Sequence, residues 1–179
     1  IENIIFAQEK DSLQLRLTVK NIGNSIAKNT VQVYYTAEGT VLDMPEKILC
    51  AFQKTRSLSP GEEERLCFTV PMYSLCAFDD TGATGFLSAY VLQKGSYIFQ
   101  VGFDCADTVN AGSLTIEKDR LFAQYDAVCA PKRGERLMRL RKLDNNGVVS
   151  KTYEPAPYAE RSLKESIEKK LPPLIFNTK

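Results

Sequence analysis

The sequence predicts an all-β fold, an antiparallel β-sandwich of about seven short strands followed by a C-terminal extension. Three observations predict it. Apolar and polar residues alternate strictly along several segments, as in Leu13, Leu15, Leu17 and Val19, which puts every second side chain on one strand face. Turn signals separate these segments about every ten residues. No helical period appears before residue 118. With 179 residues and 44% hydrophobic content, the chain can bury one core and is too apolar for wholesale disorder.

Each element follows from a local pattern. Gln14, Arg16, Thr18 and Lys20 interleave the leucines of the first strand, and Asn21-Ile22-Gly23-Asn24 turns the chain. Val31, Val33 and Tyr35 alternate with Gln32 and Tyr34 as a second strand, and Ile48 to Lys54 reads as a third. Ser59-Pro60-Gly61-Glu62 is a turn in which proline presets the entry and glycine accepts positive φ. Leu66, Phe68 and Val70 make the next strand, closed by Pro71. Phe86 to Leu92 and Ser96 to Phe103 flank Gln93-Lys94-Gly95 and read as a hairpin. Leu114 and Ile116 supply the last strand. Cys67 and Thr69 face away from Leu66 and Phe68, and the extension is expected to cover part of that opposite face.

The boundary is expected at residue 118, with a basic extension over 119–179. Residues 1–118 carry 10 Lys+Arg against 14 Asp+Glu, a net of −4, whereas 119–179 carry 13 against 8, a net of +5. The overall charge of +1 therefore hides two segments of opposite sign. In the extension, Arg136 to Leu143 and Val148 to Glu154 flank Asp144-Asn145-Asn146-Gly147 and read as a hairpin. A short helix using Leu137, Leu140 and Leu143 is the alternative. Pro155 and Pro157 enforce an extended link. Ser162 and Glu165 form a capping box for a helix with Leu163, Ile167 and Leu171 as its stripe, ended by Pro172-Pro173.

Composition narrows the function. The chain has no histidine, which removes Ser-His and Cys-His pairs, His-based metal sites and the commonest general base. No apolar run approaches the ~18–20 residues that cross a bilayer. Cys50, Cys67, Cys76, Cys105 and Cys129 are irregularly spaced without a Cys-x-x-Cys, so neither a zinc site nor a closed disulfide set is expected. They read as small buried thiols of a reducing compartment, and a cytoplasmic location is the expectation. The abrupt start at Ile1-Glu2-Asn3 lacks signal-peptide character and reads as a piece of a longer protein.

Several stretches in order resemble one family. They are Val31-Gln32-Val33-Tyr34-Tyr35, Pro45 to Lys54 (PEKILCAFQK), Leu58-Ser59-Pro60-Gly61-Glu62, Tyr73 to Asp79 (YSLCAFD) and Lys94 to Gly102 (KGSYIFQVG). Together they resemble the fibronectin type III-like domain of family 3 glycoside hydrolases, the β-glucosidase and β-xylosidase family. The resemblance covers about residues 2–117 and departs at Cys50-Ala51, where the family usually has a glycine, and in the alanine-rich loop Thr81 to Ala89. Residues 129–172 resemble the connector of members in which the sandwich precedes the catalytic barrel. The resemblance implies an α/β domain before this chain and a barrel after it, with the nucleophilic aspartate on the barrel and the general acid on the α/β domain. No position here corresponds to either, so no catalytic, cofactor-binding or metal residue is expected in this chain.

Three clusters are candidate sites. Asp79-Asp80-Thr81-Gly82 is ordinary turn chemistry, and adjacent carboxylates on a strand point to opposite faces, which argues against one acid/base site. Lys132, Arg133, Arg136, Arg139, Arg141 and Lys142 form a basic cluster without interleaved aromatics, read as a solvated face or one complementary to an acidic neighbouring domain. Tyr34, Tyr73, Tyr90 and Tyr97 are candidates for a sugar-stacking platform or for packing against another domain. Contact residues expected on this basis are Tyr34, Tyr73, Tyr90, Arg136 and Arg139. The expected partners are the other domains of the longer enzyme, not nucleic acid or a membrane.

Overall fold

In the computed structural model, residues 1–126, 138–145 and 148–155 are described. Twelve strands run in chain order through them: β1 (Glu2–Gln8), β2 (Ser12–Lys20), β3 (Thr30–Glu38), β4 (Ile48–Lys54), β5 (Glu63–Pro71), β6 (Ala77–Asp79), β7 (Ala89–Leu92), β8 (Gly95–Gly102), β9 (Thr108–Ile116), β10 (Arg120–Gln124), β11 (Met138–Asn145) and β12 (Val148–Pro155). A single 3-10 turn, Met72–Leu75, joins β5 to β6. One sheet has the order β1-β2-β5, a second β4-β3-β8-β9, and a smaller third β10-β7-β6. All pairings are antiparallel, so the all-β sandwich expected from the alternation is the observed fold.

The alternating residues build the core. Leu13, Leu15, Leu17 and Val19 on β2 and Leu66, Phe68 and Val70 on β5 are buried with Val31, Val33 and Tyr35 on β3 and Tyr97, Phe99 and Val101 on β8. Each fully buried large apolar side chain contributes about 1.5–3 kcal/mol relative to exposure. Aromatic rings centre this core: Tyr35 lies 5.9 Å from both Tyr97 and Phe99, and Phe6 on β1 reaches Phe99 at 5.1 Å. Gly112 admits that last contact, since a Cβ there would stand 2.6 Å from Cγ of Phe6.

Three strands lie outside the expected pattern: the three-residue β6, too short to show a period, and two in which a bulge breaks it. In β1, Asn3 takes φ 53° and the register shifts between Glu2 and Ile5, so Ile4 and Ile5 stand adjacent and the alternation is hidden. In β10 a second bulge, between Leu121 and Ala123, masks the period in the same way. Because β10 pairs with β7, ordered sheet continues past residue 118 to Gln124.

The hairpin expected across Gln93-Lys94-Gly95 does not form. β7 pairs with β6 and β10, whereas β8 pairs with β3 and β9; the segment carries the chain between sheets. Tertiary bonds select this course over a tight turn. The buried Gln93 accepts at Oε1 from Leu42 N (2.7 Å), its carbonyl accepts from the Tyr97 hydroxyl (2.9 Å), and Lys94 N donates to Asp119 Oδ1 (2.6 Å). Gly95 has φ 151°, and a Cβ on it would lie 2.5 Å from the Glu38 carbonyl oxygen.

The cysteines also differ from the expectation of burial. Cys50 and Cys76 are half-buried, while Cys67 and Cys105 are exposed, and all four are free thiols. Burial pushes the Cys50 thiol up to about 12 and that of Cys76 to about 11. Cys129 lies outside the described residues. Cys67 and Thr69 are exposed, and none of the described residues covers that face. In the extension, β11 and β12 pair from Met138↔Pro155 to Asn145↔Val148, which is the hairpin and not the helical alternative. The helix expected from Ser162 lies outside the described residues.

Two glycines give a graded test. Gly61 has φ 79° with nothing within 4 Å of an added Cβ, so Gly61→Ala is expected to cost about 1 kcal/mol of backbone strain. Gly95→Ala adds the collision with Glu38 and is expected to cost about 3 kcal/mol or more. Denaturant midpoints of the two variants measure the difference; equal losses would mean the β3 end yields freely.

Candidate functional site

The third sheet presents two chemically different faces. Register places Ala77, Asp79, Ala89 and Val91 together and Phe78 opposite Tyr90 on the other side. Ala89, Asp79 and Val91 are buried, whereas Phe78 is 44% exposed. Around Tyr90 the rings of Phe78 (5.1 Å), Tyr73 (5.2 Å) and Tyr125 (6.1 Å) gather, and Phe122 lies 6.2 Å from Tyr73. Arg120 stacks over Phe122 at 4.7 Å and pairs with Asp11 at 3.1 Å. Tyr73 and Tyr125 remain 46% and 55% exposed. The Tyr73 hydroxyl is pushed up by burial and by its neighbours Tyr90 and Tyr125, so it stays a neutral donor at ordinary pH.

An apolar cluster open on one side, on a sheet with a buried opposite face, marks a contact surface more than a random exposed residue does. Its rings meet at angles from 53° to 87°. That is how aromatic side chains pack with one another, edges against faces.

The loop beside this face is held by one carboxylate. Asp79 Oδ1 accepts from the amides of Thr81 (3.0 Å), Gly82 (2.7 Å) and Ala83 (3.2 Å) and from the Thr81 hydroxyl (3.1 Å). Its Oδ2 accepts from the amide and the hydroxyl of Thr84, both at 2.7 Å. Burial by itself raises this group, but the bonds from Thr84, Gly82 and Thr81 outweigh it and hold the carboxyl at about 2. With both oxygens saturated by donors, Asp79 is a structural anion and not a proton carrier. The turn reading of Asp79-Asp80-Thr81-Gly82 is thus the observed one, with Gly82 at φ 78° and Gly85 at φ 89°. The loop's far end is tied to β10 and the residue after it: Gln124 Nε2 donates to Leu87 O (2.9 Å), and Tyr125 N to Ser88 O (2.8 Å).

The expected contact residues separate. Tyr73 and Tyr90 lie together in the cluster. Tyr97 belongs to the core. Tyr34 sits on the other sheet, its hydroxyl donating to Gln32 Oε1 and its ring under Lys47 Nζ at 5.7 Å, with only 8% exposed. Arg136 lies outside the described residues, and Arg139 falls on β11, paired with Glu154. Sequence reasoning missed Phe78, Phe122 and Tyr125, because no short-range pattern links residues brought together by β6, β7 and β10. The signal available for Phe78 was its place in the stretch Tyr73 to Asp79 quoted above.

The strand order and alternating core define a fibronectin type III-like sandwich, and the family of that description, the fibronectin type III-like domain, matches residues 29–105. A β-glucosidase of Ruminococcus albus is 33% identical over 121 residues, which is 68% of this chain and 13% of that protein. The structure of a β-glucosidase from Paenibacillus barengoltzii superposes with a TM-score of 0.79 at 30% identity, covering 96% of this chain and 19% of that one. A family 3 β-glucosidase of Bifidobacterium adolescentis, 19% identical, shares the fold over 73% of this chain and 18% of its own, with a TM-score of 0.59. The sandwich belongs to the fibronectin type III-like domains of family 3 glycoside hydrolases, and the chain spans less than a fifth of the relatives it matches. It is an accessory domain within proteins of that type, whose remaining length lies in other domains.

Asp79 gives two expectations. Its carboxyl is depressed on folding, so its contribution of about 2 kcal/mol is present above pH ~4 and is lost as pH falls toward ~2. Asp79→Asn abolishes that pH-dependence and leaves Thr84 or Gly82 donors facing an amide NH2, costing about 3 kcal/mol at neutral pH. Urea unfolding of both proteins between pH 2 and 7 checks this; parallel stability–pH curves would refute it.

Proposed function

We propose that this chain is the non-catalytic accessory module of a longer retaining glycosidase of β-glucosidase or β-xylosidase type. It packs against the α/β domain and the barrel of that enzyme and holds their arrangement. One observation carries the reading: 96% of the chain superposes on only 19% of a β-glucosidase structure. The chemistry of the chain agrees. Retaining glycosidases need two carboxyl groups about 5 Å apart across the scissile bond. The one deeply buried carboxylate among the described residues, Asp79, is locked by six donors. The basic extension, +5 over 119–179, suits contact with an acidic neighbouring surface, with Arg136 and Arg139 among its contributors. The four free thiols at positions 50, 67, 76 and 105 fit a cytoplasmic enzyme.

The isolated chain is expected to leave an aryl β-glucoside unhydrolysed, while removing residues 1–126 from the longer polypeptide lowers its unfolding temperature by about 5 °C or more. Turnover by the isolated chain at enzyme-like rates would overturn the reading. An unchanged unfolding temperature would remove the stabilising role.

A further inference from the structure

The geometry points to the aromatic face of β6, β7 and β10 as the surface through which this chain docks on the rest of its own longer polypeptide. This inference rests on the accessory-module reading above and names the surface that reading leaves open. The occupant has the chemistry of a folded protein surface: apolar at its centre, opposite Phe78 and Tyr90, with acceptors at the rim for the Tyr73 and Tyr125 hydroxyls.

Three observations select that occupant. The first is where the last strand of the sandwich ends. Tyr125 belongs to the cluster and is the residue after β10, so that strand ends at this surface. A neighbour tethered through the residues that follow meets the surface at high effective concentration. The second is length. The matched β-glucosidases carry more than four-fifths of their sequence outside the region shared with this chain, ample to supply a covering domain. The third is ring geometry. The rings meet at interplanar angles of 53° to 87°, the tilted packing that aromatic side chains of a protein interface also adopt.

The Asp79 loop has a defined part in this surface. Phe78 immediately precedes the caged carboxylate, and the loop's return is bonded to Gln124 and Tyr125. The cage therefore fixes the positions of Phe78 and Tyr125 relative to Tyr90 before docking, so ordering them costs little at the moment of contact. Phe52, 67% exposed on β4 of the other sheet, offers a comparably open ring without aromatic neighbours among the described residues and serves as the matched control.

Hydrogen–deuterium exchange of the isolated chain and of the longer polypeptide tests the assignment. In the longer polypeptide, peptides spanning 73–79, 87–91 and 120–125 are expected to exchange about tenfold more slowly or beyond, while 48–54 is unchanged. Tyr125→Arg is expected to remove that protection and Phe52→Arg to keep it. Tyr73→Arg serves as a second variant should Tyr125→Arg fail to fold, and circular dichroism of the isolated variants establishes which do. Protection over 48–54 in place of the aromatic face would overturn the surface and leave the accessory role standing. Protection nowhere would overturn both. Saturable quenching of tyrosine fluorescence by an oligosaccharide, lost in Tyr125→Arg, would assign the face to sugar instead. A concentration-dependent mass of the isolated chain, abolished by the same variant, would assign it to a second copy.

Discussion

Phe6 resting on Phe99 is the contact on which the sandwich depends. Phe6 belongs to the β1-β2-β5 sheet and Phe99 to the β4-β3-β8-β9 sheet, and Phe99 in turn touches Tyr35. The Phe6 ring adds an edge contact to the buried side chains of both sheets that form the common core. The contact exists because Gly112, at φ 150°, has no Cβ to fill the space taken by Phe6. Without it the apolar side chains along this edge would face water.

Beyond that core the chain runs through a third sheet, which it enters by the 3-10 turn Met72–Leu75. Side chains acting on backbone then set its path at two places. Asp79 gathers four amides and two hydroxyls and turns the chain out of β6. Gln93 binds Leu42 through its side chain and Tyr97 through its carbonyl as the chain passes from β7 to β8. Asp79 has both oxygens bonded, whereas Gln93 is bonded at Oε1 and at its carbonyl while its buried Nε2 has no partner; the bonds that are made prescribe the path. The aromatic face is a by-product of these paths: strands far apart in sequence are held side by side, with their apolar residues on the side opposite Asp79.

Among the described residues the one buried carboxylate is consumed in holding a loop, the core rings are enclosed, and the open rings of the third sheet are tilted against one another. The loop that this carboxylate holds is bonded at its far end to Gln124 and Tyr125, so the open rings are set on a braced sheet. The opposite charges of sandwich and extension, −4 and +5, add an electrostatic bias whose reach is limited to about 10 Å in salt.

By itself the sequence determined the fold class, most of the core and the family resemblance. The alternation in β2, β3, β5 and β8 is a local signal with period two, and it maps directly onto burial. The turn at Asp79 was legible for the same reason, since its partners lie within five residues. The tertiary structure alone decided the strand partners. Gln93-Lys94-Gly95 has the residues of a hairpin turn, yet bonds to Leu42, Tyr97 and Asp119 send the chain across sheets. Bulges hid β1 and β10, because an inserted residue reverses the side-chain phase that a sequence pattern follows. Tyr73 and Tyr90 could be named from the sequence, but their company could not. Phe78, Phe122 and Tyr125 join them only through the pairing of β6, β7 and β10, and pairing between distant strands leaves no periodic trace in the chain.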